Sequence, residues 1–264
     1  MSDLINTNRV STRFPSQSSW VVLSAIENEL KRKVEDAGIP LKNWNINIYR
    51  GILTGYNEAF IIDESTRNRL VDQSPKSHEI IQPILRGRDI QKFHANWGNM
   101  YLIVNHNGYI DSSGNYINPI EVNNYESVKN HLDVYIDKLK ARQDKGVTEY
   151  NLRSCIYMED FFRPKIIYPE ITKFINFYLD SDQHYYVNNK CFILVGKHIE
   201  YLTAFLNSSL FKFCFLNNFP ELLGGTRELR KIFMETIPIK QVSEEINALF
   251  RTYPPDELRL ASVN

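Results

Sequence analysis

The run Tyr49-Arg50-Gly51-Ile52-Leu53-Thr54-Gly55-Tyr56-Asn57-Glu58-Ala59-Phe60-Ile61-Ile62-Asp63, followed by Ile84-Leu85-Arg86-Gly87-Arg88-Asp89-Ile90, constrains this chain more than any other feature. In each half an apolar stretch breaks at a glycine that stands beside basic and polar side chains. Ile46 to Arg50 and Glu58 to Ile62 read as two strands around the first loop. Gly51 and Gly55 permit close backbone approach or positive φ. Their order fits neither the GxGxxG nor the GxxxxGK[ST] pattern, so the loop is not a nucleotide phosphate cradle. Two readings stand. The loop only turns the chain and packs a tyrosine, or its tip is open. In the second reading Thr54, Tyr56 and Asn57 donate to phosphate oxygens or base edges, and Arg50 forks onto guanine.

Composition narrows the classes. With 264 residues, 43% hydrophobic and 23% charged, the chain has an ordinary globular balance and ample core. Its formal net charge is zero, so any polyanion footprint must be a local patch and not a basic coat. Cys155, Cys191 and Cys214 are odd in number and far apart, matching neither a disulfide framework nor a zinc site. That usage points to a reducing cytosol. The start, MSDLINTNRV, lacks the apolar run of a signal peptide. No uncharged apolar stretch reaches the ~18 residues of a membrane span.

Along the chain, residues 1–17 read as a polar lead-in, 18–240 as the folded body and 241–264 as a short helix and tail. Ser18 or Ser19 can cap a helix to about Ala37, with Trp20, Leu23, Ile26, Leu30 and Val34 on one face. Asp63 can cap a helix to about Leu70, and Ser77 another that Pro83 bends or ends. Met100 to Asn105 reads as a strand, with Asn107-Gly108 as a turn. Tyr125 to Arg142 reads as one helix with Val128, Leu132, Tyr135, Ile136 and Leu139 on a face. Lys165 to Tyr168 and Cys191 to Val195 are buried strands. His198 to Asn207 and Ser209 to Asn217 are apolar helices, with Asn207 and Ser208 capping between them. Gly224-Gly225 opens a loop before a basic helix, Arg227 to Phe233. The expected class is α+β, a curved and mostly antiparallel sheet with flanking helices.

The charged residues form three candidate patches. Arg86 and Arg88 flank Gly87, with Lys92 and His94 nearby; Asp89 can pair with one arginine. Arg163, Lys165 and Lys173 form the second, and Arg227, Arg230 and Lys231 the third. Each reads equally as a solvated surface. Catalytic patterns are weak. Asp160, Glu170 and Lys173 resemble a metal-dependent nuclease set, but Ile171 and Thr172 spoil its spacing. The histidines have no metal spacing. The Asn/Asp-Pro-Pro-Tyr tetrapeptide of amino-methyltransferases does not occur.

Several blocks in order resemble one family. They are a Trp20-led helix, Leu41 and Trp44, Gly51-Ile52-x-Thr54-Gly55-x-Asn57-x-Ala59-Phe60, and Pro83-x-Leu85-Arg86-Gly87-Arg88-Asp89-Ile90. Lys165-Ile166-Ile167-Tyr168, Leu202-x-x-Phe205-Leu206-Asn207-Ser208 and Ile237-Pro238-Ile239 follow. This set resembles the TaqI-like C-terminal specificity domain of adenine-N6 DNA methyltransferases and of Eco57I-like type IIG restriction–modification enzymes. The resemblance implies a target-recognition domain that reads double-stranded DNA. It implies a catalytic partner, either an N-terminal methyltransferase domain or a separate subunit, that uses S-adenosylmethionine. No catalytic residue, cofactor or metal is expected in this chain. The expected DNA contacts are Arg50, Thr54, Tyr56 and Asn57, supported by Arg86, Arg88, Lys92 and Arg227, in a cytoplasmic protein. Two other functions fit the same residues: an unrecognised DNA-acting nuclease or methyltransferase, and a protein-interaction module that holds a catalytic partner.

Overall fold

A computed structural model describes residues 24–143 and 145–252. The expected lead-in, the Trp20 end of the first helix and the chain beyond Thr252 lie outside them. Eight strands build two four-stranded sheets: β1 (Ile46–Arg50), β2 (Ile61–Asp63), β3 (Ile81–Leu85), β4 (Met100–Ile103), β5 (Lys165–Pro169), β6 (Tyr178–Asp180), β7 (Tyr186–Val187) and β8 (Cys191–Gly196). The first sheet runs β6-β5-β8-β1 and is antiparallel throughout. The second runs β7-β3-β4-β2, with one parallel pair, β7 on β3. The architecture is α+β, with mostly antiparallel pairing.

The continuous apolar runs of β5 and β8 follow from the first sheet's position between two cores. Alternate side chains leave a strand on opposite faces. Ile166, Tyr168, Phe192 and Leu194 enter one core, while Ile167, Cys191, Ile193 and Val195 enter the other. A strand wetted on one face would alternate apolar with polar; one buried on both reads as an unbroken run. The second core lies against the second sheet, with Leu70, Leu132 and Leu139 from the helices that cover it. The first is closed by Leu202, Leu206, Phe211, Phe215 and Met234.

The helices show where local signals hold. Helix α1 (Ala25–Ala37) starts at a capping box in which Ser24 and Glu27 exchange bonds. None of its residues is buried. The sequence stretch expected to be a strand from Glu58 instead makes one helical turn, α2 (Asn57–Phe60), and extends only over Ile61–Asp63. Burial of Ala59 and Phe60 together favours the turn, because an extended chain would send them to opposite sides. Asp63 caps α3 (Glu64–Gln73), accepting from the Thr66 amide at 2.8 Å. Ser77 caps no α-helix. It is buried within a 3₁₀ segment, Pro75–Ile80, and bonds Ser127 Oγ at 2.8 Å.

The helix expected over Tyr125 to Arg142 is two pieces, α4 (Glu126–Asp133) and α5 (Ile136–Lys140). The break sits where Asp133 is held by Lys129 at 2.7 Å and by the Tyr150 hydroxyl at 2.5 Å. Tyr135 there leaves helical geometry at φ −107, ψ 10. Helices α6 (Ile199–Leu206) and α7 (Ser209–Asn218) meet as expected. Ser208 caps α7 at 3.1 Å, and the buried Asn207 amide bonds both the N–H and the carbonyl of Phe177. The basic helix expected from Arg227 is a short strand, Arg227–Glu228, then one turn, α8 (Lys231–Met234). The register Arg227↔Thr172 and Glu228↔Ile171 extends the first pair before any helix begins. Ile39 pairs Ile239 at the base, and α9 (Glu244–Thr252) packs on α6 through Asn247.

Candidate nucleic-acid interface

The first glycine loop is a seam between the sheets. The chain leaves β1, paired with β8 up to Arg50, and at Ile52 bridges to Asn188 beside β7. Gly51 N–H donates to Cys191 O at 2.9 Å, and Ile52 N–H to Val187 O at 2.7 Å. A Cβ on Gly51 would stand 2.1 Å from Asn188 O and 2.5 Å from Val187 O. Glycine is therefore required by close backbone approach.

Beyond the seam the loop packs inward. Thr54 is 2% exposed, and its hydroxyl donates to Asn57 Oδ1 at 2.6 Å. The Thr54 carbonyl accepts from Arg142 Nη1 at 2.6 Å. Arg142, buried and with no carboxylate partner among the described residues, also donates to Glu149 O at 2.5 Å and Asn151 O at 2.9 Å. Burial lowers its pKa. Gly55, at φ +71, lies against the Arg142 side chain. The Tyr56 hydroxyl bonds Glu58, which raises the phenol's pKa, and its ring lies 5.9 Å from that of Tyr135. Asn57 remains exposed. Thr54 is thus turned away from solvent, for the physical reason that its hydroxyl and carbonyl close the loop on Arg142.

A groove of about 620 Å³ instead forms where the seam, the Arg86–Gln91 turn and the Pro169–Asn176 segment meet. Arg86, Arg88, Lys173 and Lys190 bring positive charge to its walls, with Gln91, Asn176, Asn188 and Thr226. Arg86 is committed locally. Its N–H, Nε and Nη2 all donate to the buried Asp89 carboxylate, at 2.8, 3.0 and 3.1 Å. That clamp closes the Gly87–Asp89 turn and leaves Arg88 exposed on it. Among the described residues no carboxylate pairs with Arg88 or Lys173. Glu170, nearly buried, pairs with Arg50 and, at 3.7 Å, with Lys190. Arg50 also donates to Asn189 O at 2.9 Å and lies over the Phe192 ring.

The structure regroups the three sequence patches. Arg88 of the first, Lys173 of the second and Thr226 beside the third share this groove. Lys165 does not. It is fully buried, with Nζ 2.7 Å from both Asp180 and Phe161 O, and desolvation lowers its pKa against the pull of Asp180. Arg163 pairs with Asp160 at 3.3 Å and lines a different groove. Asp160 is there too, away from Glu170 and Lys173. Lys92 lies over the Phe93 ring. Arg227 is bound to Phe219 O and Glu221 at 2.8 and 3.0 Å, so it builds the loop and is not presented on it. Lys190 was missed; its sequence signal is the Asn188-Asn189-Lys190 turn before an apolar strand. Gln91 and Asn176 carried no signal.

S-adenosylmethionine bears a sulfonium, an ammonium and one carboxylate, a net positive charge. Four basic side chains line this groove against one carboxylate, Glu170, that is already paired, so the groove does not fit that donor. Among the described residues no cluster of three acidic, histidine or cysteine side chains is placed to hold a metal. None of the described helices is long and apolar enough to cross a membrane.

Comparison with known proteins adds the family. The family model described as the TaqI-like C-terminal specificity domain matches residues 82–239. No curated protein matches the chain. The fold is similar to the type IIG restriction endonuclease BpuSI, with TM-score 0.56 and 16% identity over 89% of this chain and 28% of that one. It is also similar to the type IIL restriction–modification enzyme MmeI, whose structure is a complex with DNA, with TM-score 0.52 and 11% identity over 79% of this chain and 27% of that one. The chain therefore spans little more than a quarter of either enzyme.

Proposed function

Because this chain belongs to the family of TaqI-like C-terminal specificity domains, we propose that it reads a short sequence of duplex DNA for a restriction–modification enzyme. The observation that carries this is the groove. In a chain of zero net charge, Arg88, Lys173 and Lys190 converge from segments distant in sequence. Such a local concentration binds phosphates by counterion release and fixes register, while neighbouring amides address base edges. Gln91, Asn176 and Asn188 are the amides in place. Arg88 stands on a turn that the Arg86–Asp89 clamp closes, so little loop freedom is lost on binding.

Of the residues picked out by sequence, Arg50, Arg86 and Arg88 belong to this reading. Arg88 contacts DNA, Arg86 positions it, and Arg50 enters once Glu170 yields. Methylation of adenine N6, the S-adenosylmethionine it consumes and any DNA cleavage belong to a catalytic domain or subunit joined to this one. In this reading the partners are duplex DNA and that catalytic unit.

The test is anisotropy titration of the purified chain against a randomised duplex pool at several salt concentrations, with sequencing of the bound fraction. The reading expects steep salt dependence and an enriched short motif. Binding with no enriched motif would replace specific reading by general phosphate affinity.

A further inference from the structure

The segment Phe219–Arg227 is a hairpin that ends in a bare leucine. Glu221 bridges Arg227, and Leu222 N–H donates to Thr226 O at 2.7 Å. Gly224 and Gly225 turn the tip at φ +76 and +77. The Thr226 hydroxyl closes it by donating to Leu223 O at 3.0 Å. Arg227 locks the base through Phe219 O, Glu221 and the Phe215 ring. Leu223 is 98% exposed at the end of this braced turn.

A single exposed leucine means nothing by itself. Here a second apolar side chain is presented beside it in the same way. Phe174 is 67% exposed, and its N–H and carbonyl are both bonded to Thr172 Oγ1, at 3.1 and 2.6 Å. The register Arg227↔Thr172 lays the hairpin alongside this turn. A Cβ on Gly225 would lie 3.9 Å from Lys173 Cε. Phe174, Lys173 and Thr226 all line the basic groove. Phe174 thus lines the basic groove, and Leu223 stands on the hairpin that borders it through Thr226. Each turn is closed by its own threonine hydroxyl, Thr226 on Leu223 O and Thr172 on Phe174 O.

We infer that Leu223, with Phe174, forms an apolar wedge that enters a base step of the bound duplex and kinks it. This deepens the specificity-domain reading and rests on it. Unstacking one step is unfavourable, and the wider contact of a bent duplex with the groove offsets it. Sequences whose steps unstack easily are then favoured without a hydrogen bond to any base. The charge of Arg88, Lys173 and Lys190 selects the polyanion, and the apolar tips select its deformability.

The experiment uses the full chain and a duplex carrying the motif enriched from the random pool, with a fluorophore at each end. Energy transfer reports the end-to-end distance, and anisotropy of the same duplex reports binding. The wild-type chain should bring the ends together, by a kink in the ~20–90° range of apolar wedges. At saturation Leu223→Ser and Phe174→Ser should return energy transfer to the free-duplex value, with the salt slope of binding unchanged. Leu223→Met should keep the bend. Leu223 is so exposed that these substitutions leave the fold intact. Wild-type energy transfer in the Leu223→Ser complex would overturn the wedge while leaving duplex reading in place. A flat anisotropy titration of the wild-type chain would overturn both.

Discussion

At the scale of single residues, the fold decides which candidate side chains remain available. Gly51 carries no ligand; it lets two sheets share a seam. Gly51→Ala should destabilise by at least the ~1–3 kcal/mol of an overpacked core, because the clashing atoms are backbone carbonyls that cannot rotate away. Urea unfolding would check this, and a change under about 0.5 kcal/mol, the level of a neutral surface substitution, would contradict it. Thr54 behaves likewise. Thr54→Val should cost ~0.5–1.5 kcal/mol, the net worth of the hydrogen bond lost to the exposed Asn57 amide, and should leave duplex affinity unchanged. The chemistry of both residues was visible in sequence. Their placement was not, because Gly51 answers to the carbonyls of Val187 and Asn188 and Thr54 to Arg142, partners far along the chain that show no local sign of their role. Arg86 teaches the same lesson with a nearer partner. Asp89 stands three residues away, so its clamp was legible as a possibility, and only the turn geometry made it certain.

At the scale of elements, two-sided burial wrote itself plainly into sequence. The runs at β5 and β8 read as buried strands because both faces are apolar. Where an element's length is set by a distant partner, the pattern misled. The break between α4 and α5 depends on Tyr150 reaching Asp133, and the short strand at Arg227 depends on Thr172 lying opposite. Lys165 shows the cost of reading charge without burial. In a run labelled basic it is the most buried lysine possible, tied to Asp180 on the neighbouring strand β6. Lys165→Met should destabilise by ~3–5 kcal/mol, the consequence of an uncompensated buried carboxylate. Asp180 would keep amide donors at Gln183, His184 and Tyr185, which limits the loss without cancelling it. Thermal unfolding of Lys165→Met beside Lys165→Met/Asp180→Asn separates the terms. The double variant should recover part of the stability, and no recovery would refute the charge account.

At the scale of the whole molecule, a sheet shared by two cores places one groove where three distant segments meet, and this is why no single sequence patch announced it. The same burial predicts the response to acid. Desolvation lowers the pKa of His106 and His131, the latter against an opposing bond to Ala59 O. The unfolded chain, with histidine near its ordinary ~6.5, then binds more protons than the folded one. Their contribution to stability is complete above that value. It is lost as pH falls from there through the lowered folded values. Urea midpoints should therefore drop between neutral and mildly acidic pH, and His131→Gln should flatten the drop; an equal drop in the variant would exclude His131 as its source. The central claim is that Arg88, Lys173 and Lys190 act together on duplex phosphates, and the slope of log K against log salt tests it most directly. Replacing all three by alanine should make the slope shallower by about 0.9 for each phosphate that is no longer neutralised. A variant that binds duplex with the wild-type slope would show that this groove is not where the DNA lies.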